Sequence, residues 1–212
     1  MMTKGNVKAY TVDKYLHPIR LQISELIPPN KTVMEFGCGN GDLLFKLSDK
    51  IHSGIGLDKS KKLINYATKL KIENGITNLE FRNVDLTHKN PYETHVDISI
   101  ASLLFHILPP KEASELLQKI LAISETTIIC GFCAPQNTKQ KLLLWLDQRF
   151  TGHYSNFKRF QKNGFTEGLL DTTGHLEYTT YHTFDPVIKI YEITHPRSKT
   201  TKYKTSKPTA DG

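Results

Sequence analysis

The sequence predicts an α/β domain with a doubly wound, seven-stranded and mostly parallel sheet, closed at its C-terminal edge by an antiparallel hairpin. Five apolar runs of strand length alternate with amphipathic helical segments up to residue 133. The first run ends in a glycine-rich turn. After residue 135 the alternation changes, and two late strand-like segments follow without a clear helix between them. Regular alternation is typical of a parallel sheet, whereas adjacent strands favour a hairpin.

The first two thirds of the chain contain the regular elements. Leu43, Leu44 and Leu47 share one face of the first predicted helix, and the next helix closes at Gly75. A proline opens the third helix. The predicted strands are 32–36, 54–58, 78–86, 96–105 and 125–133, and the predicted helices are 41–50, 59–75 and 109–124.

The last third is less regular. A Leu- and Trp-rich helix is predicted over 139–150, and a second helix ends at Gly164. Two strands are predicted over roughly 165–172 and 186–194. Between or beside them lies HLEYTTYHTF (175–184), whose aromatic side chains either line a pocket or pack at the sheet edge.

Length and composition indicate one globular domain with flanking segments. The chain has 212 residues, 38% hydrophobic and 23% charged. We divide it into an N-terminal helical lid (1–30), the α/β domain (31–196) and a disordered basic tail (197–212). No signal peptide or membrane-spanning run is apparent, and the three cysteines are too few for a disulfide scaffold. These features predict a reduced, cytoplasmic protein.

The tail has a second interpretation. Residues 197–207 contain five basic side chains and no acidic one, and large aliphatic residues are nearly absent. Such a composition favours a solvated, disordered segment. It also suits an electrostatic arm for RNA or another anionic partner.

The turn after the first strand, in VMEFGCGNGD (33–42), predicts a ligand-binding site. Gly37, Gly39 and Gly41 allow a ligand to lie directly against the main chain. The spacing differs from the dinucleotide fingerprint, because Asp42 replaces its third glycine, and no P-loop motif is present. Glu35 and Asp42 would lie close to a diphosphate, so they suit a ligand with a cationic end instead.

The motif EFGCGNG resembles the first motif of class I S-adenosylmethionine-dependent methyltransferases. IGLD, FRNVDL and VDISIASLLFHIL resemble the next three motifs in order, with one acid 17 residues after Gly41 and another 27 residues further on. The resemblance implies a Rossmann-like methyltransferase fold with S-adenosylmethionine as cofactor. It implies that Asp58 holds the ribose hydroxyls and that Asp85 meets the adenine amino group. The implied cofactor-binding residues are Glu35, Gly37, Cys38, Gly39, Gly41, Asp58, Lys59, Asp85, Leu86, Ala101 and Ser102.

The resemblance also bears on the acceptor. After the fourth strand the chain reads ASLLFH in place of the [ND]-P-P-[YF] segment of enzymes that methylate nucleobase or glutamine nitrogens. It is therefore similar to methyltransferases of small molecules, lipid precursors and the ubiquinone pathway. His106 lies next to the expected methyl group and is a candidate general base, or else a loop histidine. Tyr10, Tyr15 and Arg20 form either a lid or an ordinary packing helix.

Two alternatives stay open at this point. One is an RNA methyltransferase that uses the basic tail, and the other is a non-catalytic protein that binds S-adenosylmethionine or S-adenosylhomocysteine for regulation. The oligomeric state is not indicated. The C-x-x-C of Cys130 and Cys133 continues a β-branched strand, so we interpret both residues as buried thiols and expect no metal site.

Overall fold

The structure is a computed structural model that describes residues 4–87, 94–174 and 176–194, with only the backbone described for residues 4–13. These ranges contain seven helices and seven strands, with a 3₁₀ helix at Phe105–Ile107. The strands are β1 (Thr32–Phe36), β2 (Ser53–Asp58), β3 (Leu79–Asn83), β4 (Val96–Ser102), β5 (Ser124–Phe132), β6 (Tyr178–His182) and β7 (Ile188–Thr194). The helices are α1 (Lys4–Leu26), α2 (Asp42–Leu47), α3 (Lys61–Glu73), α4 (Pro110–Ile123), α5 (Thr138–Arg149), α6 (Tyr154–Lys162) and α7 (Phe165–Asp171).

All seven strands form one sheet in the order β3-β2-β1-β4-β5-β7-β6. Strands β1–β5 are parallel to one another, and β7 runs antiparallel to both β5 and β6. This confirms the predicted doubly wound sheet with an antiparallel hairpin. The strand order reverses between β1 and β4, and ligands of such sheets bind outside the carboxyl ends of the strands at that point.

Helices cover the sheet with apolar faces of regular spacing. In α4, Ala113, Leu116, Leu117 and Ile120 are buried, which is the spacing of one helical face. The central strands are buried too, as the near-continuous burial of β4 and β5 shows. No helix in the described ranges is long and apolar enough to cross a membrane.

The predicted strand at 165–172 is wrong, because these residues form helix α7. Phe165, Thr166, Leu169 and Leu170 are buried, a repeat of about four residues that suits a helix. A side chain at Gly168 would place its Cβ 1.8 Å from the Asn163 carbonyl oxygen, so this tight connection needs glycine there. The hairpin begins later than predicted, at β6.

The fourth strand also ends earlier than predicted, at Ser102. Leu103 has a φ of 50°, which turns the chain out of the sheet, and its N–H donates to the Cys130 carbonyl at 2.8 Å. A leucine in the left-handed region is uncommon and is found mainly where function requires it. The residues that follow therefore lie above the carboxyl ends of the strands.

The opposite end of the sheet is fixed by Asp97. Its Oδ2 accepts hydrogen bonds from the backbone N–H and the hydroxyl of Thr32, at 2.8 and 2.7 Å. These bonds and Lys31, 3.5 Å away, lower the pKa of Asp97. The starts of β1 and β4 are thereby joined, which aligns their far ends at the switch point.

The predicted basic tail lies outside the described residues.

Candidate active site

The glycine turn between β1 and α2 is shaped by its backbone. Gly37, Gly39 and Gly41 have φ angles of 75°, 56° and 79°, a region that glycine adopts without strain. The N–H groups of Gly37 and Cys38 both donate to the Leu57 carbonyl, at 2.8 and 3.0 Å, which fixes the turn to the end of β2. A Cβ on Gly41 would lie 2.6 Å from the ring of Phe81. The turn is therefore closed on one side by packing.

Gly39 faces open space. A Cβ added there would have no atom within 4 Å, so the turn is open on this side to a ligand. The Gly39 N–H donates to Asp58 Oδ2 at 3.0 Å, and the Ser60 N–H donates to Asp58 Oδ1 at 2.7 Å. Both bonds hold the carboxylate against the turn. Since each carboxylate oxygen has a second lone pair, Asp58 can still accept hydrogen bonds from two hydroxyl groups, so this pair of acceptors fits a ribose.

Glu35 lies beneath the same turn and is almost fully buried, with 4% of its surface exposed. Its Oε2 has no hydrogen-bond partner among the described residues. Burial raises its pKa to about 8. A cationic group of a ligand at this place would favour the ionised carboxylate, which is the arrangement that the amino group of S-adenosylmethionine needs.

Asp42, at the start of α2, differs from Glu35 because protein cations surround it. Arg20 of α1 contacts Asp42 at 2.9 Å, and Lys46 contacts it at 2.8 Å. Asp42 therefore anchors α1 to the turn. Its charge is balanced within the protein, so of these two acids Glu35 is the better candidate for a cationic ligand.

The predicted adenine-binding segment follows β3. The Val84 N–H and the Asn83 side-chain amide both donate to the Asp58 carbonyl at 3.0 Å, which joins this segment to the end of β2. Asp85 is exposed, and its Oδ1 accepts bonds from the N–H and the hydroxyl of Thr87, at 3.0 and 2.7 Å.

The other residues predicted to bind the cofactor differ in exposure. Leu86 and Ala101 are buried, Ser102 is half-buried and Lys59 is exposed. Their contacts with a cofactor stay predictions.

A cavity of about 630 Å³ lies next to the carboxyl ends of β4 and β5. Its walls come from α1, α5, the ends of both strands and the β6–β7 loop. Leu103, Phe132, Leu144, Val187 and Ile188 give it a mainly apolar lining. This size and character are typical of a small-molecule site.

Two buried polar side chains line the cavity. Gln148 of α5 is 5% exposed, and its Nε2 donates to Asp147 at 2.6 Å. The Gln148 Oε1 is buried without a hydrogen-bond partner in the described part of the chain. A buried acceptor without a donor is costly, so a donor group on a ligand would be bound favourably there.

His106 is the second buried polar group. It is 8% exposed, and its ring lies 4.9 Å from Phe132 and 5.4 Å from His153, measured between ring centroids. Burial, with a smaller contribution from His153, lowers the pKa of His106 to about 3. The imidazole is therefore neutral at physiological pH and can accept a hydrogen bond. Its role as a general base stays a prediction.

For the aromatic segment 175–184 the sequence leaves two interpretations open, a pocket lining or packing at the sheet edge, and each applies to some of its residues. Phe184 lines the cavity and stacks edge-on against Tyr15 of α1, whose hydroxyl donates to Asp185. Tyr181 instead donates to Glu192 at 2.6 Å on β7, and Tyr178 packs against Tyr191. Thus Phe184 belongs to the cavity, and both tyrosines of β6 belong to the sheet edge. Whether α1 acts as a lid stays a prediction.

Several cavity residues, notably Leu144, Gln148 and Phe132, are not predicted from the sequence. A glutamine within the Leu-rich run of α5 was the available signal, but the sequence does not show which helix face meets the cavity. The three cysteines are free and buried, as expected for Cys130 and Cys133, and burial raises the pKa of both.

This fold and the glycine turn define a class of protein. A family model described as a methyltransferase domain matches residues 27–167. The chain therefore belongs to the class I S-adenosylmethionine-dependent methyltransferase family.

Individual relatives cover the chain to different extents. The 2-heptyl-1-hydroxyquinolin-4(1H)-one methyltransferase of Mycobacteroides abscessus is 31% identical over 91 residues, a match that spans 42% of this chain and 40% of that relative. The magnesium protoporphyrin IX methyltransferase of Synechocystis PCC 6803, solved with bound S-adenosylhomocysteine, has a TM-score of 0.60 at 17% identity, covering 92% of this chain and 89% of that one. An O-methyltransferase family protein of Burkholderia thailandensis has a TM-score of 0.66 at 16% identity, covering 85% of this chain and 56% of that one.

Proposed function

We propose that the chain transfers the methyl group of S-adenosylmethionine to a small, largely apolar acceptor that carries a hydroxyl or a similar nucleophile. The observation that carries the proposal is the apolar cavity of about 630 Å³ next to the end of β4, with His106 and Gln148 as its buried polar groups. A cavity of this size encloses a small molecule. The relative from Mycobacteroides abscessus is named for a hydroxyquinolone with an apolar chain, which is an acceptor of this chemical class.

The cofactor half of the site is assigned to the glycine turn and the strand ends around it. In this proposal Asp58 accepts the ribose hydroxyls, Glu35 faces the amino group and Asp85 accepts from the adenine amine. Leu86, Ala101 and Ser102 supply the surfaces around them, and Lys59 lies at the exposed edge. The bound cofactor supplies an electrophilic methyl group on a sulfonium.

The acceptor half contributes mainly orientation. Methyl transfer requires the acceptor atom to be in line with the methyl carbon and the sulfur, so positioning is the dominant contribution of the protein. The apolar walls exclude water, and the buried Gln148 Oε1 accepts a hydrogen bond from a donor on the acceptor. His106 is uncharged and takes the hydroxyl proton as that oxygen reacts.

Two measurements test the cofactor assignment and the acceptor class separately. Calorimetric titration should show binding of S-adenosylmethionine and S-adenosylhomocysteine and none of NAD. Asp58→Ala should weaken both affinities by about 3 kcal/mol, or more than a hundredfold, because charged hydrogen bonds are lost. Asp49→Asn, an exposed carboxylate in the turn after α2, is the matched control and should bind as the wild type does.

The acceptor class is then tested by mass spectrometry. The protein is incubated with S-adenosylmethionine and a panel of hydroxylated aromatic compounds with and without alkyl chains, and total RNA is assayed in parallel. Methylation of panel compounds by the wild type, and much less by Asp58→Ala, supports the proposal. Methylation of RNA alone would replace it with an RNA methyltransferase. Binding of S-adenosylhomocysteine without any methylated product would favour a regulatory protein.

A further inference from the structure

Helix α5 exposes far more apolar surface than a solvated helix requires. Of the eleven large hydrophobic residues that are exposed in the described ranges, five lie between residues 142 and 150. They are Leu142, Leu143, Trp145, Leu146 and Phe150, with 55%, 56%, 37%, 46% and 80% of their surface exposed. Contiguous exposed apolar surface of this kind marks an interaction site.

These five residues, which we call the α5 face, form one continuous surface. At 3.6 residues per turn, they occupy an arc of about 160° around the helix axis. Leu144 and Gln148, which are buried, lie on the opposite side. The helix therefore packs one apolar side against the protein and presents another to the outside, which core packing alone does not explain.

Basic side chains lie beside the α5 face in the first and last turns of the helix. Lys139 and Lys141 are exposed in the first turns of α5, and Arg149 is exposed in its last turn. The Arg149 guanidinium lies 4.5 Å from the centroid of the Trp145 ring and 5.7 Å from that of Phe150. Between residues 138 and 163 the chain has six basic residues and only one acidic residue, Asp147. Exposed Leu, Trp and Phe next to Lys and Arg are among the features of helices that lie in a membrane interface.

The α5 face is also continuous with the mouth of the cavity. Leu143 belongs to both, since it is exposed and lines the cavity. Tyr15 and Phe184, which stack at 5.2 Å between centroids, add exposed apolar surface to the cavity lining, at 46% and 56% exposure. An apolar acceptor entering beside α5 would therefore meet mainly apolar surface from the outside to the cavity, with Asp147 and Asp185 also in the lining.

We propose that the α5 face docks this protein on the surface of an anionic phospholipid bilayer, with the cavity mouth turned toward the lipid. The apolar side chains enter the interface, and Lys139, Lys141 and Arg149 contact anionic headgroups. Each such cation adds to the binding free energy because the surface potential of the membrane is negative. Docking itself does not depend on the proposed function. Its purpose does rest on that function, because docking would admit a lipid-dissolved acceptor to the cavity.

Trp145 reports on this docking directly because it is the single tryptophan of the chain. The full chain is titrated with vesicles of phosphatidylcholine and phosphatidylglycerol, and with vesicles of phosphatidylcholine alone. We expect the Trp145 emission to shift to shorter wavelength with the anionic vesicles and to be quenched when their acyl chains carry bromine. Raising the salt concentration should return the emission to the wavelength of the free protein. No shift with anionic vesicles would overturn the proposal.

Matched variants separate the apolar and the charged contributions. Leu142→Ser with Leu146→Ser should abolish most vesicle binding, and Lys139→Gln with Lys141→Gln should weaken it by about tenfold or more. Ile72→Ser on α3 is the apolar control, since Ile72 is 71% exposed on a different helix. Its vesicle binding should equal that of the wild type, and an equal loss in this variant would contradict the assignment to α5.

Two further outcomes are decisive. Without vesicles, the Trp145 emission could shift with protein concentration while the molecular mass rises. If Leu142→Ser with Leu146→Ser removes both changes, the occupant of the α5 face is a second copy of the chain, which would overturn lipid docking. The same double variant should keep its affinity for S-adenosylhomocysteine and its turnover of a water-soluble acceptor. Failure of docking is thus visible in vesicle binding, whereas failure of the proposed function is visible in turnover.

Discussion

The two halves of the proposed site, one for the cofactor and one for the acceptor, are built in different ways. The cofactor half comes from short segments at the ends of β1, β2 and β3, and backbone groups shape it. Three glycines with positive φ angles and the Gly39 N–H bonded to Asp58 are its fixed parts. The acceptor half is assembled from α1, β4, β5, α5 and the β6–β7 loop, and side chains such as Phe132 and Leu144 shape it.

This difference separates the effects that substitutions should have. A ligand that lies against the backbone is lost when a glycine gains a side chain, so changes in the cofactor half should appear in the affinity for S-adenosylhomocysteine. In the proposed function, side chains of the acceptor half contact the reacting molecule, so changes there should appear in turnover. The following predictions test that separation.

The largest effect is expected for His106→Phe, which keeps the ring volume but removes the proton acceptor. A general base contributes about 10²–10⁴-fold to a rate. Because burial lowers the pKa of His106 to about 3, we expect the low end of this range, a loss of about a hundredfold in kcat. The affinity for S-adenosylhomocysteine should not change. The kcat is measured at saturating cofactor on an acceptor from the panel, and the affinity for S-adenosylhomocysteine is measured by calorimetric titration.

The control for this substitution is His153→Phe, since the His153 ring lies 5.4 Å from that of His106 and is only partly buried. It should reduce kcat by less than about threefold, within the effect of an ordinary surface change. A loss in His106→Phe that is no larger than in His153→Phe would show that His106 packs in the cavity and takes no proton.

A smaller effect is expected for Gly39→Ala, on affinity alone. Gly39 and Gly75 both have positive φ angles, 56° and 65°, and in both cases an added Cβ meets no atom within 4 Å. Alanine should therefore destabilise the fold by about 1–2 kcal/mol at either position. Only at Gly39 would the methyl group occupy ligand space, which should weaken S-adenosylhomocysteine binding by about 1–2 kcal/mol, or up to about thirtyfold.

Gly75, at the C-terminal end of α3, serves here as the matched control. Thermal unfolding should give similar losses for the two variants, and calorimetry should give different affinities. Equal affinities would mean that the ligand does not lie against Gly39, which would remove the backbone-shaped half of the comparison.

The same division explains what the sequence could predict. Gly37, Gly39, Gly41 and Asp58 lie within 22 residues, so their shared location follows from one strand–turn–helix unit and the next strand end. Leu144 and Gln148 reach the cavity only through the packing of α5, which periodicity does not specify. Local patterning also failed at α7, where a seven-residue helix has too few turns to show a clear period. The charge state of Glu35 depends on burial, which no local pattern encodes.

Glu35 gives the last prediction, because it couples the charge of the cofactor half to pH. With a pKa of about 8 in the unliganded protein, Glu35 is mostly protonated at pH 7. A bound ammonium group favours the carboxylate, so binding should release a proton at pH 7, and affinity should fall about tenfold per pH unit below pH 8. Glu35→Gln should bind weakly and without this pH dependence. Calorimetry in buffers of different ionisation enthalpy measures the released proton directly.

The free energy of unfolding of the unliganded protein should also depend on pH through Glu35. Since the folded-state pKa of about 8 lies above the ordinary value of 4.5, the unfolded chain loses the Glu35 proton first as pH rises. The wild type should therefore lose stability between about pH 4.5 and pH 8, while Glu35→Gln should lose less over this range. A stability difference of this kind, combined with pH-independent affinity in the wild type, would show that the cationic end of the ligand does not meet Glu35. Parallel melting curves for the two proteins would show that burial does not raise the pKa of Glu35.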